Sequence, residues 1–163
     1  MNKHELIESL ALIEYQEGGY FSETFRAPET MSTDRVDSER NILTSIFYML
    51  TDDRPVGHFH MNKSDIVHYH QGGSPLTYYT IDGDGRLEKS ILGPDPQKGH
   101  QLQLIVKGGL WKATVLESGE FGLLGEAVAP GFDYRDMALA KRDELVAKFP
   151  QHREIIERCS YRD

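Results

Sequence analysis

Residues 56–92 read VGHFHMNKSDIVHYHQGGSPLTYYTIDGDGRLEKSIL, a succession of short extended runs cut by turn residues. Leu76–Ile81 is rich in Thr and Tyr, which suit a pleated sheet. Asp82-Gly83-Asp84-Gly85 carries the Asp-Gly signal of a hairpin, and Leu87–Leu92 is its return strand. Upstream, Gly72-Gly73-Ser74-Pro75 and Lys63-Ser64 mark turns that bound strands at Val56–Met61 and Ile66–His70. Working outward, Ile42–Leu50 is a continuous apolar run expected to form a buried strand. Leu102, Leu104 and Val106 alternate with polar neighbours, and Trp111–Glu117 and Phe121–Val128 follow, each set off by glycine. Strands repeating every ~8–12 residues predict a sandwich or barrel rather than alternating strands and helices.

The flanks differ. Leu6, Ile7, Leu10 and Ile13 predict a helix over His4–Glu14. Glu17-Gly18-Gly19-Tyr20 then breaks into a strand ending at Arg26, and Pro28–Arg40 reads as a polar, mobile loop. After Pro130-Gly131, Asp133 is placed to cap a helix through Met137, Ala140, Val146 and Phe149. Pro150 interrupts it before a shorter helix over Gln151–Arg158. The expected class is all-β, in a single domain over residues 1–163, with an N-terminal helix and C-terminal helices.

Composition narrows the function. Eighteen Lys and Arg against 26 Asp and Glu leave a net charge of −8. An acidic chain without a basic cluster is unsuited to nucleic acid or an anionic membrane. The continuous apolar run within Asn41–Thr51 falls far short of the ~20 apolar residues of a spanning helix. Cys159 is alone, which excludes an internal disulfide and a Cys-rich zinc site. The opening residues lack the long apolar core of a secretion signal, so the expected location is cytoplasmic.

Four of the seven histidines fall in two pairs, His58-Phe59-His60 and His68-Tyr69-His70. Residues two apart on a strand share a face. If the two segments neighbour one another, their imidazoles converge, which suits either a divalent metal or acid–base chemistry near neutral pH. Which face of residues 65–70 points inward stays open, because a one-residue slip reverses every side chain.

The pattern around His58 and His60 resembles the first cupin motif, with Asp65 in the carboxylate place and Gly72 closing it; Asp53 stands where the motif has Gly. The second motif would fall on Lys107–Lys112, with Lys107 for its Pro and Lys112 for its ligand His. An ammonium has no lone pair to offer a metal. Further landmarks run along nearly the whole chain. They are Glu17-Gly18-Gly19-Tyr20 with Thr24 and Arg26, Ser45–Leu50, His60, Ser64-Asp65, Gly73–Leu76, Gly108–Trp111 and Ala129–Phe132. In this order they are similar to the cupin-5 family. The resemblance implies a double-stranded β-helix, a small jelly-roll barrel closed around a cavity for one ligand. It makes Glu17, Tyr20, Arg26, His58, His60, Trp111 and Lys112 candidate lining residues.

Three functions follow as expectations. The first is an epimerase or isomerase acting on a small polar metabolite such as a sugar derivative, with His60 as base, Tyr69 or Tyr134 as acid, and Lys112 polarising an oxygen. The second is a metal-dependent oxygenase or isomerase in which His58, His60 and Asp65 hold a divalent ion. The third is a ligand-binding module without turnover. Cupin barrels usually cover their open edges by pairing, so a homodimer is expected.

Overall fold

A computed structural model describes residues 1–161. The first short helix, α1 (Lys3–Ser9), is capped by Asn2, whose side chain accepts from the Glu5 amide while the Glu5 carboxylate returns to the Asn2 amide. It is shorter than the helix expected over His4–Glu14: residues Ile13–Glu14 are extended and form β1. The following strands are β2 (Tyr20–Arg26), β3 (Thr30–Ser32), β4 (Glu39–Asn41), β5 (Thr44–Thr51), β6 (Val56–Asn62) and β7 (Asp65–Gly73). Then come β8 (Leu76–Ile81), β9 (Leu87–Leu92), β10 (Gln103–Val106), β11 (Trp111–Val115) and β12 (Phe121–Ala129).

Two corrections concern the flanks. Pro28–Arg40 is not a loose loop: β3 and β4 form a hairpin there, tied down by Arg40 and Arg35, which both bind the Asp136 carboxylate at 2.8 Å. Asp133 caps only a 3₁₀ turn over Tyr134–Asp136, after which Met137–Leu139 runs as β13. The helices follow it, α2 (Arg142–Lys148) and α3 (Arg153–Arg158).

The strands form two sheets, β1-β2-β5-β12-β7-β10 and β13-β6-β11-β8-β9, while the β3–β4 hairpin stands apart. This is the expected jelly-roll architecture, with one correction. Among the described residues no strand pairing joins the two large sheets, so the barrel is open along its sides rather than closed. β6 and β7 also lie in different sheets and face one another instead of pairing.

Apolar packing forms three layers. Between the sheets, Leu50, Leu76, Tyr78, Leu92, Leu104 and Leu124 fill one end of the interior. Outside the five-stranded sheet, Leu145, Val146, Phe149 and Ile156 of the C-terminal helices pack on Phe59, Ala113 and Val115. Outside the six-stranded sheet, α1 and its successor cover Met49 and Leu123 with Leu6 and Leu12. The sandwich is thus plugged at one end and left hollow at the other. No helix among the described residues is long and apolar enough to cross a membrane.

Candidate functional site: a buried acid–base cluster between the sheets

Register places the polar side chains. On the five-stranded sheet Lys112 of β11 stands directly opposite His60 of β6. On the six-stranded sheet a row runs Glu23, Ile46, Glu126 and His68 across β2, β5, β12 and β7. The two groups look at one another across the interior. The open question about residues 65–70 is answered by burial: Ile66 and His68 point inward, at 3% and 0% exposure, whereas Asp65 and Tyr69 are exposed.

The pairing of His58 with His60 on one face does not hold. Lys112 opposes His60 and Thr114 opposes Gly57, so β6 carries one residue more than β11 across that interval. Such a bulge breaks the two-residue periodicity. His60 enters the cavity, while His58 turns to the outer side and stacks on Tyr161 with ring centroids 3.8 Å apart. From there the His58 amide and Nδ1 both reach the Glu17 carbonyl, at 2.6 and 3.0 Å. His58 therefore holds the backbone that carries Glu17.

Glu17 itself sits in the turn between β1 and β2. Gly18 and Gly19, at φ +102° and +67°, let this turn lie against the sheet edges. A Cβ on Gly18 would come within 2.0 Å of the Val56 carbonyl oxygen, and one on Gly19 within 2.6 Å of that of Met49. Tyr48 Oη donates to the Gly18 carbonyl at 2.8 Å. The carboxyl is thereby delivered, 6% exposed, to 3.2 Å from His60 Nε2.

Protonation follows from the hydrogen bonds. His60 Nδ1 donates to the His58 carbonyl at 2.7 Å, which leaves Nε2 as the acceptor. Burial, with the Lys112 charge adding to it, pushes the His60 pKa down to about 3. Burial also pushes Glu17 up to about 8, against the attraction of Lys112. The pair is therefore neutral at pH 7, a carboxylic acid donating to an imidazole.

The second pair is set the other way. Lys112 Nζ donates to His68 Nε2 at 3.4 Å. His68 Nδ1 is then the donor, shared between Glu126 Oε1 at 3.3 Å and Tyr78 Oη at 3.1 Å. Burial and the neighbouring ammonium bring His68 down to about 4. Burial opposes the charge on Glu126, but the Lys112 ammonium and the His68 contact outweigh it and hold the carboxylate at about 2. Glu126 stays ionised.

Glu17, His60 and Glu126 open into one cavity of about 220 Å³, whose walls include Tyr15, Phe21, Tyr48 and Phe132. Lys112 lies just behind, in a smaller void bordered by His60, Asn62 and Ser64. Of the sequence candidates, the structure brings together Glu17, His60 and Lys112, with Arg26 and Tyr134 near the mouth. It sends others outside. Tyr20 packs beneath α1 under the Arg54 guanidinium. Trp111 packs against the outer helical layer. Tyr69 faces away from the cavity.

A divalent metal does not fit these side chains. Asp65 is outside, bound to Lys107 Nζ at 2.8 Å and to the Gly108 amide at 2.9 Å, and His58 is behind Glu17. In the interior, His68 Nε2 already faces an ammonium, a fixed positive charge where a cation would have to enter. Among the described residues no three His, Cys, Asp or Glu side chains are grouped to hold an ion.

Glu126 is the residue that sequence reasoning did not single out; His68 figures there only as one of a histidine pair whose facing stays open. The signal for Glu126 was present: it is the lone charge in FGLLGEAVA and keeps step with the buried Leu124 and Val128.

Comparison with known proteins agrees with this architecture. The family model described as "Cupin superfamily (DUF985)" matches residues 4–140. The uncharacterised protein YML079W of Saccharomyces cerevisiae is 38% identical over 155 residues, covering 86% of this chain and 77% of that one. The crystal structure of protein SO0799 from Shewanella oneidensis superposes with a TM-score of 0.92 at 29% identity, over 100% of this chain and 99% of that one. Oxalate decarboxylase from Bacillus subtilis shares the fold alone, with a TM-score of 0.54 and 17% identity over 92% of this chain and 37% of its own.

Proposed function

This chain belongs to the Cupin_5 (DUF985) family of the cupin superfamily, and from that premise we propose that its cavity binds a small carbonyl compound and moves a proton on it, as an isomerase or epimerase does. One observation carries the reading: two carboxyl groups, Glu17 and Glu126, face one cavity in opposite protonation states. Environments that drive two titratable groups apart in this way assign an acid and a base.

Glu126 is the base. Its carboxylate removes a proton from the carbon beside the carbonyl, and the bonding pair moves onto the carbonyl oxygen. The Glu17–His60 couple is the acid and gives that oxygen its proton, forming the enol. Return of a proton to the other carbon or the other face, and of the hydroxyl proton to the couple, completes the reaction with both groups restored. Lys112 keeps the base charged and adds positive potential where negative charge develops on the substrate, which favours the transition state. His58 is a positioning residue, acting through the Glu17 carbonyl.

The test is incorporation of solvent deuterium, followed by NMR, across small carbonyl compounds that raise the melting temperature. The expected result is exchange beside the carbonyl, reduced ~10²–10⁴-fold by Glu126→Gln. Stable binding without exchange for any of them would leave a ligand-binding module instead.

A further inference from the structure

The cavity walls restrict the ligand more tightly than its acid and base do. Phe21, Ile46, Ile66, Val128 and Phe132 form the apolar part of the lining, and none of their side chains can make a hydrogen bond; beside them Asn62 also reaches the space, while Asp133 is held by Arg135 and Tyr48 Oη by the Gly18 carbonyl. Two aromatic pairs flank the space: Tyr15 with Phe21, ring centroids 4.2 Å apart, and Phe132 with Tyr134 at 5.0 Å. A hydroxyl pressed against such walls gives up its water without replacement, at roughly 1–3 kcal/mol each. A polyol would incur this several times over.

Charge is restricted as well. Arg26 is the guanidinium at the mouth, yet it is already engaged. Its Nε and Nη2 hold the two Glu23 oxygens at 2.9 and 2.8 Å, and Nη1 holds Asn41 Oδ1 at 2.9 Å and the Phe132 carbonyl at 3.1 Å. No fork remains for a carboxylate or phosphate. Deeper in, the Lys112 ammonium is balanced by Glu126. Size is the third restriction. A cavity of ~150 Å³ accepts benzene, so by the same measure 220 Å³ holds about nine heavy atoms.

We infer that the ligand is an uncharged, ring-sized carbonyl compound whose apolar body lies between the two aromatic pairs and whose oxygen reaches Glu17 and His60, and that polyols and carboxylate- or phosphate-bearing molecules are refused. The place of the carbonyl oxygen rests on the acid–base reading above; the neutral, apolar body rests on the walls alone.

Three probes of similar size test it by titration calorimetry on the whole protein: cyclohex-2-enone, cyclohexane-1,3,5-triol and benzoate. The wild type should bind the enone at least tenfold more tightly than either other probe. Ile46→Phe, which fills the cavity, should abolish that binding while leaving the circular dichroism spectrum unchanged. Glu23→Ala frees the Arg26 fork and should improve benzoate binding at least tenfold. Preference for the triol or benzoate, binding of none of the three, enone binding untouched in a folded Ile46→Phe, or no gain of benzoate in Glu23→Ala each overturns the inference. Enone binding without deuterium exchange would leave it standing and remove the proton-transfer reading, so the two fail separately.

Discussion

Lys112 Nζ stands 3.4 Å from His68 Nε2, which places a fixed ammonium against an imidazole lone pair in the middle of the protein. Lys112 is 3% exposed and His68 is fully buried. A buried cation of this kind needs an anion close by, and Glu126 supplies it through the same imidazole. Breaking such a set at one member is costly, on the order of 3–5 kcal/mol, because the surviving charge loses its partner.

Lys112→Met should therefore be strongly destabilising at pH 8, where Glu126 is left charged and unpaired. The loss should shrink towards pH 5, where Glu126 can take a proton in the variant. Chemical denaturation at the two pH values measures this. The double variant Lys112→Met/Glu126→Gln should recover much of the loss. Equal destabilisation at both pH values would show that the ammonium is not what holds Glu126 ionised.

Lys112→His tests the metal argument from the other side. It replaces the cation with a lone pair beside His60 and His68, and should raise the zinc or nickel content of the purified protein well above that of the wild type, as read by elemental analysis. Asp65→Ala should leave metal content alone. Its contact with Lys107 is an exposed pair, so the cost is expected within about 1 kcal/mol. A metal content that falls with Asp65→Ala would contradict the position of this residue outside the cavity.

Much of this arrangement is legible in the sequence, and the parts that are not fail for definite reasons. The strand succession and its turns follow from alternation and glycine placement, while His60 and Lys112 become lining candidates through the resemblance to the cupin motifs. The error at His58 comes from a single bulged residue between Gly57 and His60, which periodicity cannot foresee because it depends on pairing with β11. Tyr69 goes wrong for the related reason that strand register was undetermined. Arg26 reads as a lining residue in isolation, and its engagement by Glu23, Asn41 and Phe132 appears only once three segments are brought together. Trp111 is misplaced because the C-terminal helices, which cover it, leave no mark on its own strand.

Replacing His58 by Ala distinguishes a positioning residue from a ligand. The variant loses the Nδ1 contact to the Glu17 carbonyl, while the His58 amide contact, at 2.6 Å, is retained. A single hydrogen bond contributes about 1 kcal/mol, so a small fall in melting temperature is expected. Deuterium exchange should slow with little change in ligand affinity, and its pH dependence should shift, because Glu17 is no longer held firmly against His60. Loss of affinity with an unaltered pH profile would place His58 in contact with the ligand instead.

The pH dependence of stability offers the sharpest prediction, because the buried groups act in opposite directions. Glu17 is raised to about 8 in the fold from an ordinary value near 4.5. Between those two values the unfolded chain has released a proton that the folded chain still holds, so this residue makes stability fall as pH rises from about 4.5 to about 8, by several kcal/mol. His60 and His68 are lowered to about 3 and about 4. They remain neutral in the fold while the unfolded chain takes up protons below about 6.5, and so make stability fall as pH drops from there. Glu126, depressed to about 2, adds a further loss below about 4.5. Glu17→Gln removes the alkaline-side slope alone and keeps a neutral partner for His60. The variant should match the wild type near pH 4 and gain on it steadily up to about pH 8, with no further gain above that. A stability difference that stays flat across this range would mean that Glu17 is ionised in the fold, and with it the assignment of the acid would be lost.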